Sequence, residues 1–283
     1  MSGVRIEPLE GLTLGATVTD VSLADLAPDE WRDVESAFHD HAVLVFPGQH
    51  LSREDQVLFG KRFGDIEHIV GTHESLPITN ASRDGGVLAA DDPVLQIVLG
   101  NLEWHTDSSY RPVSAKASLL SAHVLPPSGG ETEWADMRAA YDALDPSLRE
   151  RIAGLAAHHS YEYSQARAGF GDRSFGYGFA VDGAPLRPLV KVHPVTGRPA
   201  LFIGRHAHAI PGLSPEESER LLDDLLEHAC RPPRVLTHTW SVGDLVVWDN
   251  RCVLHRARPW DLAVPRTMVH TRIAGDPATE AAA

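Results

Sequence analysis

Apolar and polar positions alternate with a period of two in "VRIEPL" and "GATVTDVSL", which predicts two early strands, because successive strand side chains face opposite ways. The period then changes. From about Pro28, "WRDVESAFHDHA" puts Trp31, Val34, Phe38 and Ala42 on one side of a helix. "VLVFPG" is an apolar run closed by Pro-Gly and reads as a buried strand, and "SREDQVLFGKRFG" as a second helix with Ser52 as N-cap and Gly64 just past its end. Residues 71–100 mix Gly, Asp, Ser and Thr with short apolar islands. That composition predicts a long loop, and its position just ahead of "WHTDSSY" makes it a candidate lid.

Beyond it, "AKASLLSAHVL" and "ETEWAD" read as strands around the turn "PPSGG". "MRAAYDALDPSLRERIAGL" reads as one amphipathic helix with Ala139, Leu144, Leu148, Ile152 and Leu155 inward. In the last third, "PLVKVHP", "PALFIG", "VLTHTW", "DLVVWDN" and "TMVHTRIAG" are strands, and "SPEESERLLDDLLEHAC" is a capped helix. Many short strands with helices gathered at a few points predict a mainly β protein, a sandwich or jelly roll with helical insertions. No composition break divides the chain, so residues 1–283 are expected to form one domain.

Composition removes several function classes. The 25 Lys and Arg against 39 Asp and Glu give a formal net charge of −14, with no basic run, which argues against nucleic acid and anionic membrane as partners. An anionic small-molecule substrate would need specific arginines. The opening "MSGVRIEPLEG" has no signal-peptide core and no stretch is long and apolar enough to span a bilayer, so a cytoplasmic chain is expected. Cys230 and Cys252 form no framework or C-x-x-C pair and are expected to be buried thiols.

The chemistry is concentrated in "WHTDSSY". On a strand His105 and Asp107 would share a face and could converge on one ion, although an H-x-D triplet alone is more often a polar pair at a strand end. Two histidines and a carboxylate on one face of Fe(II), with positions left open, make a non-haem oxygenase centre. His255, in "WDNRCVLHRA", is the best second histidine; His193, His206, His208, His238 and His270 compete.

"WHTDSSYRPVSAKASLLSAHVLPPSGGETEWADMRAAYDAL", with "WDNRCVLHRARPWDLAVPRTMVHTRIAGD", resembles the TauD/TfdA family of Fe(II)/2-oxoglutarate-dependent dioxygenases, and within it the aryloxyalkanoate dioxygenases. The likeness runs from about Val4 to Asp276. It implies a double-stranded β-helix (cupin-like) core, with Fe(II), 2-oxoglutarate and O₂ as cofactor and co-substrates, and a homo-oligomer. It makes His105, Asp107 and His255 the iron ligands, Thr132 a hydroxyl donor to 2-oxoglutarate, and Arg266 the partner of its distal carboxylate. Arginine suits that role because its planar fork binds a carboxylate bidentately and stays charged when buried.

Taurine-type members carry a second arginine four residues after the first, where this chain has His270; Arg272 shares its strand face. The change disfavours a sulfonate and leaves a carboxylate plausible. The reaction implied is decarboxylation of 2-oxoglutarate to succinate and CO₂, coupled to hydroxylation of a substrate carbon. On an aryloxyalkanoate, hydroxylation yields a phenol and a keto acid. An alkylsulfonate such as taurine, an amino acid or a secondary metabolite is the alternative substrate. A carboxylate at position 107 also implies oxygenation rather than halogenation.

Candidate substrate contacts are His68, the residues up to Gly100, Asn101, Tyr163, "FIGRHAHAIPG", His270 and Arg272. Ser108, Ser109 and Tyr110 are expected to shape the loop. A zinc hydrolase would leave Thr132 and Arg266 idle and has no H-E-x-x-H here. A metal-free binding protein sits poorly with three intact ligands.

Overall fold

A computed structural model describes residues 3–68, 71–170 and 184–282. The first half of the chain contains β1 (Arg5–Pro8), β2 (Ala16–Thr19), α1 (Pro28–His41), β3 (Val43–Phe46), α2 (Arg53–Gly60), β4 (Leu76–Thr79), α3 (Pro93–Gly100) and β5 (Ala117–Val124). Then come β6 (Thr132–Asp136), α4 (Met137–Asp142), α5 (Pro146–Ile152), β7 (Ala156–His159) and α6 (Tyr161–Arg167). The second half adds β8 (Leu186–Pro188), β9 (Val190–Val192), β10 (Pro199–Leu201), β11 (Ala207–His208) and α7 (Pro215–Ala229). It ends with β12 (Val235–His238), β13 (Leu245–Asp249), β14 (Val253–Ala257), β15 (Thr267–Ile273) and α8 (Pro277–Glu280).

Seven strands form the main sheet in the order β1-β2-β3-β13-β5-β15-β4, and β12-β6-β14 form a second sheet. Alternation along the central strands explains the layering. In β13, Val246 and Trp248 join Trp134, Leu236 and Leu254 of the second sheet in one core, whereas Leu245 and Val247 pack with Val34, Phe38, Val57 and Phe59 of α1 and α2 in another. The main sheet therefore carries helices on its outer face and closes on the second sheet with its inner face, which is the jelly roll expected.

Helix starts agree with local chemistry. Ser52 Oγ accepts from Asp55 N–H, and Ser214 with Glu217 builds a reciprocal box at the start of α7.

Four readings of the sequence are corrected. The stretch 71–100 is no plain loop: β4 pairs with β15, and α3 begins behind an Asp92 N-cap. α2 ends at Gly60. The helix expected from Met137 onward breaks at Asp145-Pro146, because proline disfavours helix in the residue before it and supplies no N–H to the preceding turn. His255 lies in a strand of its own, β14, paired with β6. Cys252 is buried and Cys230 half-buried. No described helix is long and apolar enough to cross a membrane.

Candidate active site

His105 and His255 are brought together by a backbone pair. His105 N–H donates to the His255 carbonyl at 3.0 Å and His255 N–H returns to the His105 carbonyl at 2.8 Å. Their rings follow, with centroids 4.1 Å apart. Asp107 does not reach the site by strand alternation, since only His105 is bridged and the chain turns immediately after it. Thr106 makes the turn instead: its hydroxyl donates to the Asn250 carbonyl at 2.8 Å, and the Asn250 side chain accepts from Asp107 N–H at 3.3 Å.

Donor atoms of His105, Asp107 and His255 all lie within 4.8 Å of one another, and all three residues are buried. The His105 Nδ1–H faces the Glu103 carbonyl at 2.7 Å, which leaves Nε2 as the free lone pair. Burial pushes His105 down to about 4, against the pull of Asp107. Burial also holds His255 well below the ordinary histidine value. Two neutral imidazoles and one carboxylate are the donor set a divalent iron takes, so the residues fit the metal.

Burial alone would raise the Asp107 carboxyl, but Arg272, with His270 and His255 behind it, holds it well below the usual range. Arg272 Nη2 lies 2.8 Å from Asp107 Oδ1, and Ser118 donates to Oδ2 at 2.6 Å. The far side of the same guanidinium meets Ser108 Oγ at 2.8 Å and Glu67 at 3.8 Å. Arg272 is thus shared between two carboxylates. His270 stacks parallel to Trp248 with centroids 5.9 Å apart, and its Nε2 stands 3.5 Å from Asp107 Oδ2.

Arg266 is different. It is 3% exposed and makes no ion pair among the described residues; its Nε and Nη2 donate to the Gly130 carbonyl at 3.2 and 2.9 Å. Burial pushes it down to about 10, with Glu131 opposing weakly. Gly130, at φ +74°, has no room for a Cβ, which would sit 2.9 Å from Arg266 Nε. Asn80, just past β4, accepts from Arg266 N–H at 2.7 Å and ties the 71–100 segment to the start of β15. Thr132 lines the same pocket, two residues after Gly130. A buried cation with no counter-ion among the described residues, in a pocket it shares with a hydroxyl, is a place for a carboxylate.

The chain matches the family described as "Taurine catabolism dioxygenase TauD, TfdA family" over residues 5–272. It belongs to the TauD/TfdA family. This TauD/TfdA chain is 52% identical over 284 residues to the (S)-phenoxypropionate/alpha-ketoglutarate-dioxygenase of Sphingobium herbicidovorans, covering 98% of this chain and 97% of that one. It is 42% identical to the alpha-ketoglutarate-dependent 2,4-dichlorophenoxyacetate dioxygenase of a Burkholderia strain, covering 94% of this chain and 92% of the relative. The crystal structure of AAD-2 in complex with Mn(II) and N-oxalylglycine superposes with a TM-score of 0.90 at 40% identity, covering 99% of this chain and 98% of that one.

The pocket of this TauD/TfdA chain has an aliphatic wall from β4 and α3, where Leu76, Ile78, Val94, Ile97 and Val98 face it. Asn101, His270 and Arg272 line it as the sequence suggested; His68 and Tyr163 do not. His68 is exposed, and Tyr163 stacks on His208 with centroids 4.5 Å apart. The reason is helical phase: "YEYSQ" lies in α6, where residues two apart point to opposite sides, so Tyr161 faces the pocket and Tyr163 does not. Tyr110, expected only to shape the loop, also lines it.

Arg205 and His206, inside "FIGRHAHAIPG", complete the lining. Arg205 donates to the Gly100 carbonyl and to Gln165, and its nearest carboxylate, Glu103, is 3.7 Å away. A second buried cluster, His193, Asp249 and Cys252, has metal-like spacing. Arg251 already grips Asp249 with two nitrogens, and His193 Nδ1 accepts from Val195 and Thr196 N–H, so those donors hold the fold.

Proposed function

We propose that the chain is an Fe(II)- and 2-oxoglutarate-dependent dioxygenase that hydroxylates a small aryloxyalkanoate carboxylate, cleaving its ether to a phenol and a keto acid. The observation that carries this reading is the pairing of a buried His-Asp-His site with Arg266, a buried guanidinium that no described carboxylate answers. His105, Asp107 and His255 would hold the metal; Thr132 and Arg266 would hold the distal carboxylate of 2-oxoglutarate. Metal and co-substrate together supply the oxidising power, with O₂ consumed and succinate and CO₂ released.

The protein's own residues choose and place the substrate. Arg272 is occupied by Asp107 and Glu67, so it is a poor anchor for a substrate anion. Arg205 is the better one, being buried in the pocket wall with its nearest carboxylate, that of Glu103, 3.7 Å away and no hydrogen bond from its Nε among the described residues. The aliphatic wall of β4 and α3 suits an aryl ring and excludes water from the carbon to be oxidised. In this reading β4 and α3 serve as a cover fastened by Asn80. A sulfonate such as taurine is less favoured, because His270 stands where taurine-type members place their second arginine. The proposal extends to a cytoplasmic homo-oligomer, whose subunit count light scattering would read.

The test is succinate and phenol formation by the Fe(II)-loaded protein with 2-oxoglutarate, across both enantiomers of phenoxypropionate, phenoxyacetate and taurine. Stoichiometric phenol and succinate from a phenoxyalkanoate support the proposal. Turnover of taurine alone would overturn the substrate class, and failure to bind 2-oxoglutarate would overturn the enzyme class.

A further inference from the structure

We propose that Trp240 is a positioning residue that aims the Thr132 hydroxyl at 2-oxoglutarate; the inference rests on the reading of Thr132 and Arg266 as the co-substrate anchor. Trp240 Nε1 lies 2.9 Å from Thr132 Oγ1. The direction of that bond is fixed by chemistry, since an indole N–H only donates while a hydroxyl has one hydrogen and two lone pairs. Trp240 therefore occupies an acceptor position on Thr132 and leaves its hydrogen for another partner. Thr132 is 2% exposed, and no described residue accepts that hydrogen. What remains for it is the pocket, which Arg266 also lines.

The fold holds the indole in place. In the β12–β6 pair His238 stands opposite Thr132, so the chain two residues later carries Trp240 over the hydroxyl. His238 packs its edge against the Trp240 ring with centroids 4.7 Å apart and is itself held by Asp244 at 3.1 Å; Trp134 flanks the indole at 6.3 Å. A buried indole with so few degrees of freedom keeps one hydroxyl rotamer dominant. Without the N–H, the Thr132 hydroxyl turns freely and its hydrogen is no longer pre-aimed, which weakens a carboxylate contact by the worth of about one hydrogen bond, roughly five- to tenfold in affinity.

The experiment is a double-mutant cycle on the Mn(II)-loaded full chain, reading the Kd of 2-oxoglutarate by calorimetry, with KM and kcat of the Fe(II) enzyme alongside. W240F is expected to raise Kd and KM for 2-oxoglutarate about five- to tenfold while kcat at saturating 2-oxoglutarate changes far less. In a T132V background the same change should cost nothing further, and T132S should retain the full dependence on Trp240. If W240F weakens binding equally in both backgrounds, Trp240 acts only through packing and the inference is overturned. If T132V alone leaves Kd unchanged, the anchor reading itself fails, and Trp240 falls with it. Should W240F not fold, 3-benzothienylalanine at position 240 keeps the shape of the ring and removes only the N–H, with the same outcomes expected.

Discussion

Replacing Arg266 by methionine should stabilise the ligand-free protein while destroying its affinity for 2-oxoglutarate. The guanidinium is 3% exposed, has no described counter-ion, and burial lowers it from 12.5 to about 10. At about 1.4 kcal/mol for each step of one in pKa, keeping it charged costs the fold about 3 kcal/mol. The sign is clear: a group whose charged form is disfavoured by folding costs stability at every pH below about 10, neutral pH included. R266M removes that cost but leaves the buried Gly130 carbonyl without its two donors, a loss of about 1–2 kcal/mol. The balance is about 1–2 kcal/mol in favour of the variant, or a Tm higher by about 2–4 °C for a chain of this size. The ligand side moves the other way, because losing one partner of a buried charged pair costs about 2–5 kcal/mol, at least about thirtyfold in Kd. Scanning calorimetry with and without N-oxalylglycine reads both. A variant with a lower ligand-free Tm and an undiminished ligand-induced shift would refute the reasoning and make Arg266 a structural residue.

R272M should act oppositely on the ligand-free protein: Asp107 and Glu67 lose a shared cation, lowering stability by about 3–5 kcal/mol, and Mn(II) should then raise Tm by more than in the parent. An unchanged ligand-free Tm would sink that assignment. His159 is fully buried, burial holds it well below the ordinary histidine value, and neither ring nitrogen has a partner among the described residues. Neutral when folded and protonated when unfolded, it lowers stability as pH falls below 6.5, by about 1.4 kcal/mol per pH unit. H159F should therefore lose about 2 kcal/mol less than the parent between pH 7 and pH 5, and identical acid limbs would disprove it. I97N, on the aliphatic wall, should raise KM for an aryloxypropionate at least about tenfold and leave the Kd of 2-oxoglutarate alone; equal effects on both ligands would contradict the separation of the two subsites.

The meeting of His105, Asp107 and His255 was legible because their spacing matches a family pattern, whereas the residues that bring them together are distant in sequence. Asn250 and Thr106, which turn Asp107 toward the site, carry no local signature. β14 is hidden for the same reason: "VLHRA" has neither a clean period nor a turn on both sides, and its pairing with β6 and the His105 bridge supply what propensity does not. β4 and α3 sit in a Gly- and Asp-rich stretch whose composition says loop; the β15 edge and the Asp92 cap make them otherwise. The break at Asp145-Pro146 was visible in principle, since proline there opposes one continuous helix. Tyr163 was named in place of Tyr161 because nothing in "YEYSQ" alone says which face of α6 meets the pocket.

Three buried arginines line the pocket, and what each already touches tells them apart better than their sequence positions do. Arg272 meets Asp107 and Glu67, so its charge is answered inside the protein and its effect falls on the carboxylate of the candidate metal site. Among the described residues Arg266 meets the Gly130 carbonyl and the face of Trp260, 5.1 Å from the ring centroid, and Arg205 a carbonyl, an amide oxygen and a carboxylate at 3.7 Å. A guanidinium held out of water with no carboxylate in hydrogen-bond contact is a cost that an incoming anion relieves. In the proposed function the substrate and 2-oxoglutarate each bring a carboxylate, one for each under-answered arginine. An arginine at position 270 would stand beside Asp107, already flanked by Arg272; a histidine there, stacked on Trp248, leaves Asp107 with Arg272 as its one guanidinium partner among the described residues. In the proposed function the departure at His270 therefore moves the substrate anion from β15 to Arg205, with the aryl end of the carboxylate against α3.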